Sequence, residues 1–340
     1  MLQLPLQYGP YNVGYKYHCL FDEGRFYQTS HPNPQTTLRP IPLNTWYPAQ
    51  KTETKSRMVY EDYWDFQSKD SCLAVFHQRL KNYNIEKAHL YFTGKGAANR
   101  TEADEQSFRR LRQSRVMSSR NAPEIEEAFP MIVYHQGLDA HIDDNVLLLE
   151  YLASWGYVVV SSSYHSMDAT TMNIDWDVKR SVADVEVVLQ YQKRQFNVKS
   201  NQIVLMGHSF GAQAMMSFVA EKYAQYGNKL KGLILLDSTI DYAFYKKNDR
   251  CLNVVSKLKS TQFQTPTLAF ARLSATFKLL NQLPSTHRYY CKVGHVLHND
   301  FISIGATAAA FRSEKSQDDF AIIWRNYQQI CVFVHHFLEA

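Results

Sequence analysis

The chain has 340 residues, 45% of them hydrophobic and 20% charged, which argues against disorder and allows one large core. Its formal net charge is +5 with Lys and Arg dispersed, and the densest basic stretch, Arg109 to Arg120, reads as a solvated helix face rather than a nucleic-acid footprint. No apolar run reaches the length of a membrane span and no signal-peptide pattern opens the chain, so a cytoplasmic protein or the mature part of an exported one is expected.

Residues 9–48 read as irregular or antiparallel strand, with Pro40, Pro42 and Pro48 punctuating Thr45-Trp46-Tyr47. Residues 69–118 look mostly helical, over Cys72–Leu80 and again over the charged stretch Glu102–Val116. That segment has too few large apolar residues to close its own core. It is therefore expected as a helical insertion on a single domain spanning residues 1–340.

From Phe129 onward, short apolar runs alternate with helical periodicity. Strands are predicted at Met131–Tyr134, Tyr157–Ser161, Ile203–Met206, Leu233–Leu236, Thr267–Phe270 and Tyr289–Val293, each nearly continuous in apolar residues as buried parallel strands are. Val146–Trp155 reads as a helix stopped by Gly156. Val178, Val182, Val185 and Leu189 draw an apolar stripe on another. This alternation implies an α/β fold with a mostly parallel central sheet and helices on both faces.

The chemistry centres on Gly207-His208-Ser209-Phe210-Gly211. A G-x-S-x-G alone is weak, arising by chance in roughly a tenth of chains this long. Here an apolar strand runs into Gly207 and a helix-forming run begins at Ala212. Such a strand-to-helix turn strains the serine and exposes its Oγ at the sheet edge, and the glycines leave room where a Cβ would collide. Ser209 as a mere helix N-cap is the plainer alternative. The nucleophile reading needs an oxyanion hole, for which the backbone N–H groups of Phe210 and Leu138 are the candidates; Leu138 follows the predicted strand 131–134 in Tyr134-His135-Gln136-Gly137-Leu138. His135, at the same strand end, is expected to make a structural hydrogen bond.

The order Ser, acid, His then directs the search downstream. Asp237 follows the strand 233–236 directly, whereas Ala271-Arg272-Leu273-Ser274 after the next strand offers no carboxylate. Asp237 is therefore the candidate acid, with Asp241 and Asp300 weaker and a helix N-cap the alternative role. Two histidines, His295 and His298, lie in the loop leaving the last strand and are candidate bases. His287 precedes that strand, at its wrong end, and His335 and His336 fall on a C-terminal helix. Cys19, Cys72, Cys251, Cys291 and Cys331 are far apart, in no zinc-binding spacing. No metal or organic cofactor is expected.

With these motifs in order, the chain resembles the calcium-independent platelet-activating-factor acetylhydrolases and their bacterial relatives in the dienelactone-hydrolase-like branch of the α/β-hydrolases. The resemblance rests on Gly9-Pro10-Tyr11-Asn12-Val13-Gly14, Trp46-Tyr47-Pro48, the loop 133–138, Gly207–Gly211, Leu236-Asp237 and His298-Asn299-Asp300-Phe301. It implies a serine esterase with Ser209 as nucleophile, Asp237 as acid and His298, rather than His295, as base. His135-Gln136-Gly137, Tyr164-His165-Ser166 and the helical insertion depart from that family's pattern, so its phospholipid specificity does not carry over. A small or hydrophobic acyl ester is the expected substrate; a serine peptidase or amidase, or a silent binding protein on the same fold, are the rival readings.

Overall fold

The computed structural model describes residues 2–28, 36–51, 57–66, 73–166, 172, 178–242, 249–283, 287–311 and 317–340. Its centre is a ten-stranded sheet. In chain order the strands are β1 (Asn12–Gln28), β2 (Thr36–Ala49), β3 (Arg57–Val59), β4 (Arg115–Arg120), β5 (Phe129–His135), β6 (Val158–Ser162), β7 (Val198–His208), β8 (Leu230–Leu236), β9 (Thr267–Arg272) and β10 (Arg288–Val293). Across the sheet they lie β10-β9-β8-β7-β5-β6-β2-β1-β4-β3. The six strands from β10 to β6 pair parallel, and β2 then runs antiparallel to β6 and to β1. This is the mostly parallel α/β architecture that the alternating pattern implies, and it fits the α/β-hydrolase fold that the resemblance implies.

Eight helices, α1 (Ala74–Thr93), α2 (Glu102–Arg112), α3 (Val146–Ser154), α4 (Val178–Gln195), α5 (Phe210–Tyr226), α6 (Asp249–Ser260), α7 (Ser303–Phe311) and α8 (Gln317–Glu339), cover the two faces among the described residues. Successive strand side chains feed opposite cores, because the pleat has a period of two. Met131, Val133, Leu205, Leu233 and Leu235 join one cluster with α4, α5 and α6. Ile132, Tyr134, Met206, Ile234 and Leu236 join the other, with α3, α7 and α8. Both faces are covered, which is why these strands lack polar alternation.

Helix α3 ends where expected, with Gly156 at φ +97°. The segment 69–118 differs in detail. Residues 69–72 lie outside the described residues; α1 runs on to Thr93, well past Leu80, and the predicted second helix stops at Arg112. Buried Asn84, His89 and Thr93 interrupt the apolar periodicity of α1 and hide its length. Residues 115–118 open strand β4, which pairs with β1 and β3. Its buried Ser118 and Ser119 make it read as polar. Pro40, Pro42 and Pro48 stay within β2, each paired with β1 and each outside Leu43–Trp46, the stretch that also pairs with β6.

Beyond Leu43, strand β2 continues past the end of β6, carrying the β1–β2 hairpin above the C-terminal edge of the parallel strands. A buried ion pair ties this arm to the helical layer. Arg39 donates Nε to Asp184 Oδ1 at 3.0 Å and Nη2 to Oδ2 at 2.7 Å, with Nη2 also 2.6 Å from the His165 carbonyl oxygen. Both side chains are fully enclosed. Burial alone would raise the proton affinity of Asp184, but the Arg39 charge and hydrogen bonds outweigh it and hold the carboxyl below its ordinary value. Asp184→Asn should cost about 3–5 kcal/mol in urea unfolding at pH 7, since it leaves a buried guanidinium unpaired. A depressed folded-state value means that the ionised group stabilises above the unfolded carboxylate value, about pH 4, and that this contribution fades as pH falls through the folded value. The gap between native chain and variant should therefore narrow in acid, and a gap independent of pH would contradict the ionic account.

Candidate active site

Strand β7 delivers Ser209 into a sharp turn before α5. The serine has φ +55° and ψ −119°, a left-handed backbone that L-residues rarely hold. Two glycines make the turn possible. A Cβ on Gly207 would lie 2.5 Å from the Gly211 carbonyl carbon, and one on Gly211 would lie 2.2 Å from the His135 carbonyl oxygen. The Ser209 N–H is satisfied by the Leu236 carbonyl at 3.0 Å, which locks the turn to β8.

The next strand ends supply the partners. Asp237 leaves β8 at φ +44°, fully buried, its N–H bonded to the Phe270 carbonyl at 2.9 Å. After β10, His298 opens a short 3-10 turn, His298–Phe301. His298 Nε2 lies 2.8 Å from Ser209 Oγ, and its Nδ1 lies 2.6 Å from Asp237 Oδ2. One imidazole thus joins hydroxyl to carboxylate. His295 is exposed at φ +54°, and His298 takes the place beside the serine.

The other candidate carboxylates have different work. Asp300 accepts the Leu297 N–H at 2.7 Å and shapes the turn that carries His298. Asp241 accepts the Leu279 N–H at 2.6 Å and joins two loops. His135 is buried between Ser181 Oγ at 2.9 Å and the Gln136 carbonyl at 2.7 Å, its ring stacked on Tyr164. Burial pushes it down to about 4, so it stays neutral and structural.

The loop after β5 closes the opposite side. A Cβ on Gly137 would be 3.3 Å from Ser209 Cβ and 3.0 Å from His208 Nδ1, so the missing side chain lets this loop pack closely against the serine turn. Leu138 follows it, half-buried, while Phe210 is the first residue of α5 and buried. Phe210 thus adjoins Ser209 in sequence, and the loop carrying Leu138 approaches it in space at Gly137. Among the described residues no group of three or more His, Cys, Asp or Glu side chains is placed to hold a metal ion.

Four neighbours were not singled out from the sequence. Tyr242 OH donates to Asp237 Oδ1, and Arg272 Nε lies 3.4 Å from Oδ2 while its guanidinium covers the Tyr242 ring. His208, buried, donates from Nε2 to the His298 carbonyl at 3.1 Å, with the two rings 4.6 Å apart. Burial, then the neighbouring His298, pushes His208 down to about 3, so it remains a neutral donor. Tyr91 on α1 donates its OH to the Leu138 carbonyl at 3.1 Å. Arg272 could have been found, since it stands at the strand end where a carboxylate is absent. Tyr91 and Tyr242 carry no local signal.

The family model of chlorophyllase matches residues 88–265, just over half the chain. No curated protein matches it. Among solved structures, a ferulic acid esterase from Streptomyces cinnamoneus is 14% identical, with 100% of this chain and 93% of that one covered at a TM-score of 0.64. Esterase 2 of Thermogutta terrifontis is 13% identical over 63% of this chain and 83% of that one, with a TM-score of 0.43. A monoacylglycerol lipase from Paleococcus ferrophilus is 10% identical over 60% and 96%, with a TM-score of 0.39. The first of these likenesses establishes the fold. The other two add nothing to that.

Proposed function

The chain belongs to the chlorophyllase family, and on that premise we propose that it is a serine hydrolase that cleaves carboxylic esters through a Ser209-His298-Asp237 triad. The observation that carries this reading is the unbroken link of 2.8 Å and 2.6 Å from Ser209 Oγ through His298 to Asp237. Ser209 Oγ attacks the ester carbonyl as His298 Nε2 takes its proton. The backbone N–H groups of Leu138 and Phe210 stabilise the oxyanion, and Asp237 holds the imidazole in its reactive tautomer. His298 returns the proton to the departing alkoxide. Water, activated by the same imidazole, then attacks the acyl-serine and frees the acid. No cofactor takes part in these steps.

Within the fold we assign the chain to the platelet-activating-factor acetylhydrolase-like, dienelactone-hydrolase-like branch, on the strength of Gly207–Gly211, Leu236-Asp237 and His298–Phe301. We read it as one hydrolase domain with residues 69–118 as a helical insertion. The sharing of Phe92, Phe108 and Leu111 with the core around α3 supports that reading. The substrate is a small-molecule ester with a small or hydrophobic acyl group.

A fluorophosphonate probe should label the native protein, and peptide mapping should place the adduct on Ser209. Turnover of p-nitrophenyl esters should exceed that of the matching aminoacyl anilides by roughly 10²-fold or more. Absence of label at Ser209 sinks the enzyme reading, and anilides turned over as fast as esters reassign the protein as a peptidase or amidase.

A further inference from the structure

The helical insertion reaches the candidate oxyanion loop through the Tyr91 hydroxyl and through a loose ion pair, Lys87 Nζ to the half-exposed Asp139 carboxylate at 3.6 Å, whose exposure leaves it worth little. Residues 137–140 form a tight turn closed by the Ala140 N–H on the Gly137 carbonyl at 3.3 Å. Its third residue, Asp139, holds φ +59°, while Leu138 before it is not left-handed. That combination marks a type II turn, in which the central peptide is flipped relative to the commoner type I. Type II turns favour glycine at this position, and an aspartate there is strained. The flipped peptide is Leu138–Asp139, and its oxygen is the one that accepts the Tyr91 hydroxyl at 3.1 Å. A return to type I would turn that oxygen away from α1 and lose the bond.

Both peptides flanking the Leu138 Cα are thus tied down. The Leu138 N–H belongs to the peptide whose carbonyl closes the turn, and the Leu138 carbonyl belongs to the peptide that Tyr91 holds. Burial first, then the nearby Asp144 and Asp139, keeps the Tyr91 phenol protonated far above its ordinary range, so it stays a donor at any working pH. We propose that Tyr91 is a positioning residue for ester hydrolysis: its hydroxyl holds the 137–140 turn in the form that presents the Leu138 N–H to the oxyanion. This inference rests on the serine-esterase reading above. It gives the insertion a catalytic consequence without any contact between α1 and substrate.

Tyr91→Phe keeps the ring and removes only the hydroxyl. It should lower kcat for p-nitrophenyl butyrate roughly tenfold and leave KM within about twofold, because an oxyanion donor acts on the transition state and not on bound substrate. Adding Asp139→Gly should restore kcat to within about threefold of the native chain, since glycine holds the left-handed position without the help of Tyr91. Tyr83→Phe serves as the control on the same helix, its buried hydroxyl having no hydrogen-bond partner among the described residues; its kcat should stay native. Native kcat in Tyr91→Phe overturns the inference, as does a loss that Asp139→Gly fails to restore or that Tyr83→Phe shares. A native protein unlabelled by fluorophosphonate removes the esterase reading and this inference with it, whereas a labelled native protein beside a fully active Tyr91→Phe removes this inference alone.

Discussion

Ser209→Ala and His298→Ala should each lower kcat for an activated ester by roughly 10⁵-fold, and the double variant by no more than either. Nucleophile and base act as one unit, so once either is gone the other has nothing to do. His298 Nε2 stands 2.8 Å from Oγ, within reach of the proton it must take. Some catalysis over water should survive in both variants from the oxyanion donors and substrate binding. His295→Ala is the control, since that side chain is exposed; it should stay within about threefold of native. A native-like His298→Ala, or an equal loss from His295→Ala, would falsify the assignment of the base.

Asp237→Asn should lower kcat by roughly 10⁴-fold with little change in volume. The carboxylate faces His298 Nδ1 at 2.6 Å and receives the Tyr242 hydroxyl on its other oxygen. An amide there can offer an N–H where the imidazole needs an acceptor, and it does not stabilise the imidazolium that forms during attack. It also leaves Arg272, 3.4 Å away, with no counter-charge in the site. Tyr242→Phe removes one donor and keeps the charge, so its loss should be only about tenfold. Equal damage from the two substitutions would assign Asp237 a packing role, and circular dichroism of both variants checks that each is folded.

The strands from 129 to 293 were readable because each is a short, nearly continuous apolar run, the mark of a strand covered on both faces. The places of Ser209 and Asp237 at one edge of the sheet were readable for a related reason: each follows such a run directly. Choosing between His295 and His298 was harder. Both leave the same strand, three residues apart, and only the 3-10 turn capped by Asp300 brings one of them to Oγ. Helix α1 and strand β4 were obscured by buried Asn84, His89, Ser118 and Ser119, which mimic surface. Tyr91 and Tyr242 act through contacts 47 and 5 residues away in sequence, fixed by tertiary packing rather than by local pattern.

The strand order also sets a timetable for the growing chain. Strands β1 and β2 form a local hairpin of fourteen paired positions, yet its sheet neighbours are β6 and β4, made 109 to 113 residues after Ala49 and 66 to 71 residues after it. During vectorial synthesis the β1 edge of the hairpin must wait for residue 120, and its β2 edge for residue 162, to leave the ribosome. The serine turn can then close on β5 and β8, but the imidazole that faces it arrives some ninety residues later still. A chain ending just before His298 would therefore hold every strand of the sheet and no imidazole for Ser209, so the cell meets this protein first as a folding problem and only at the end as an enzyme.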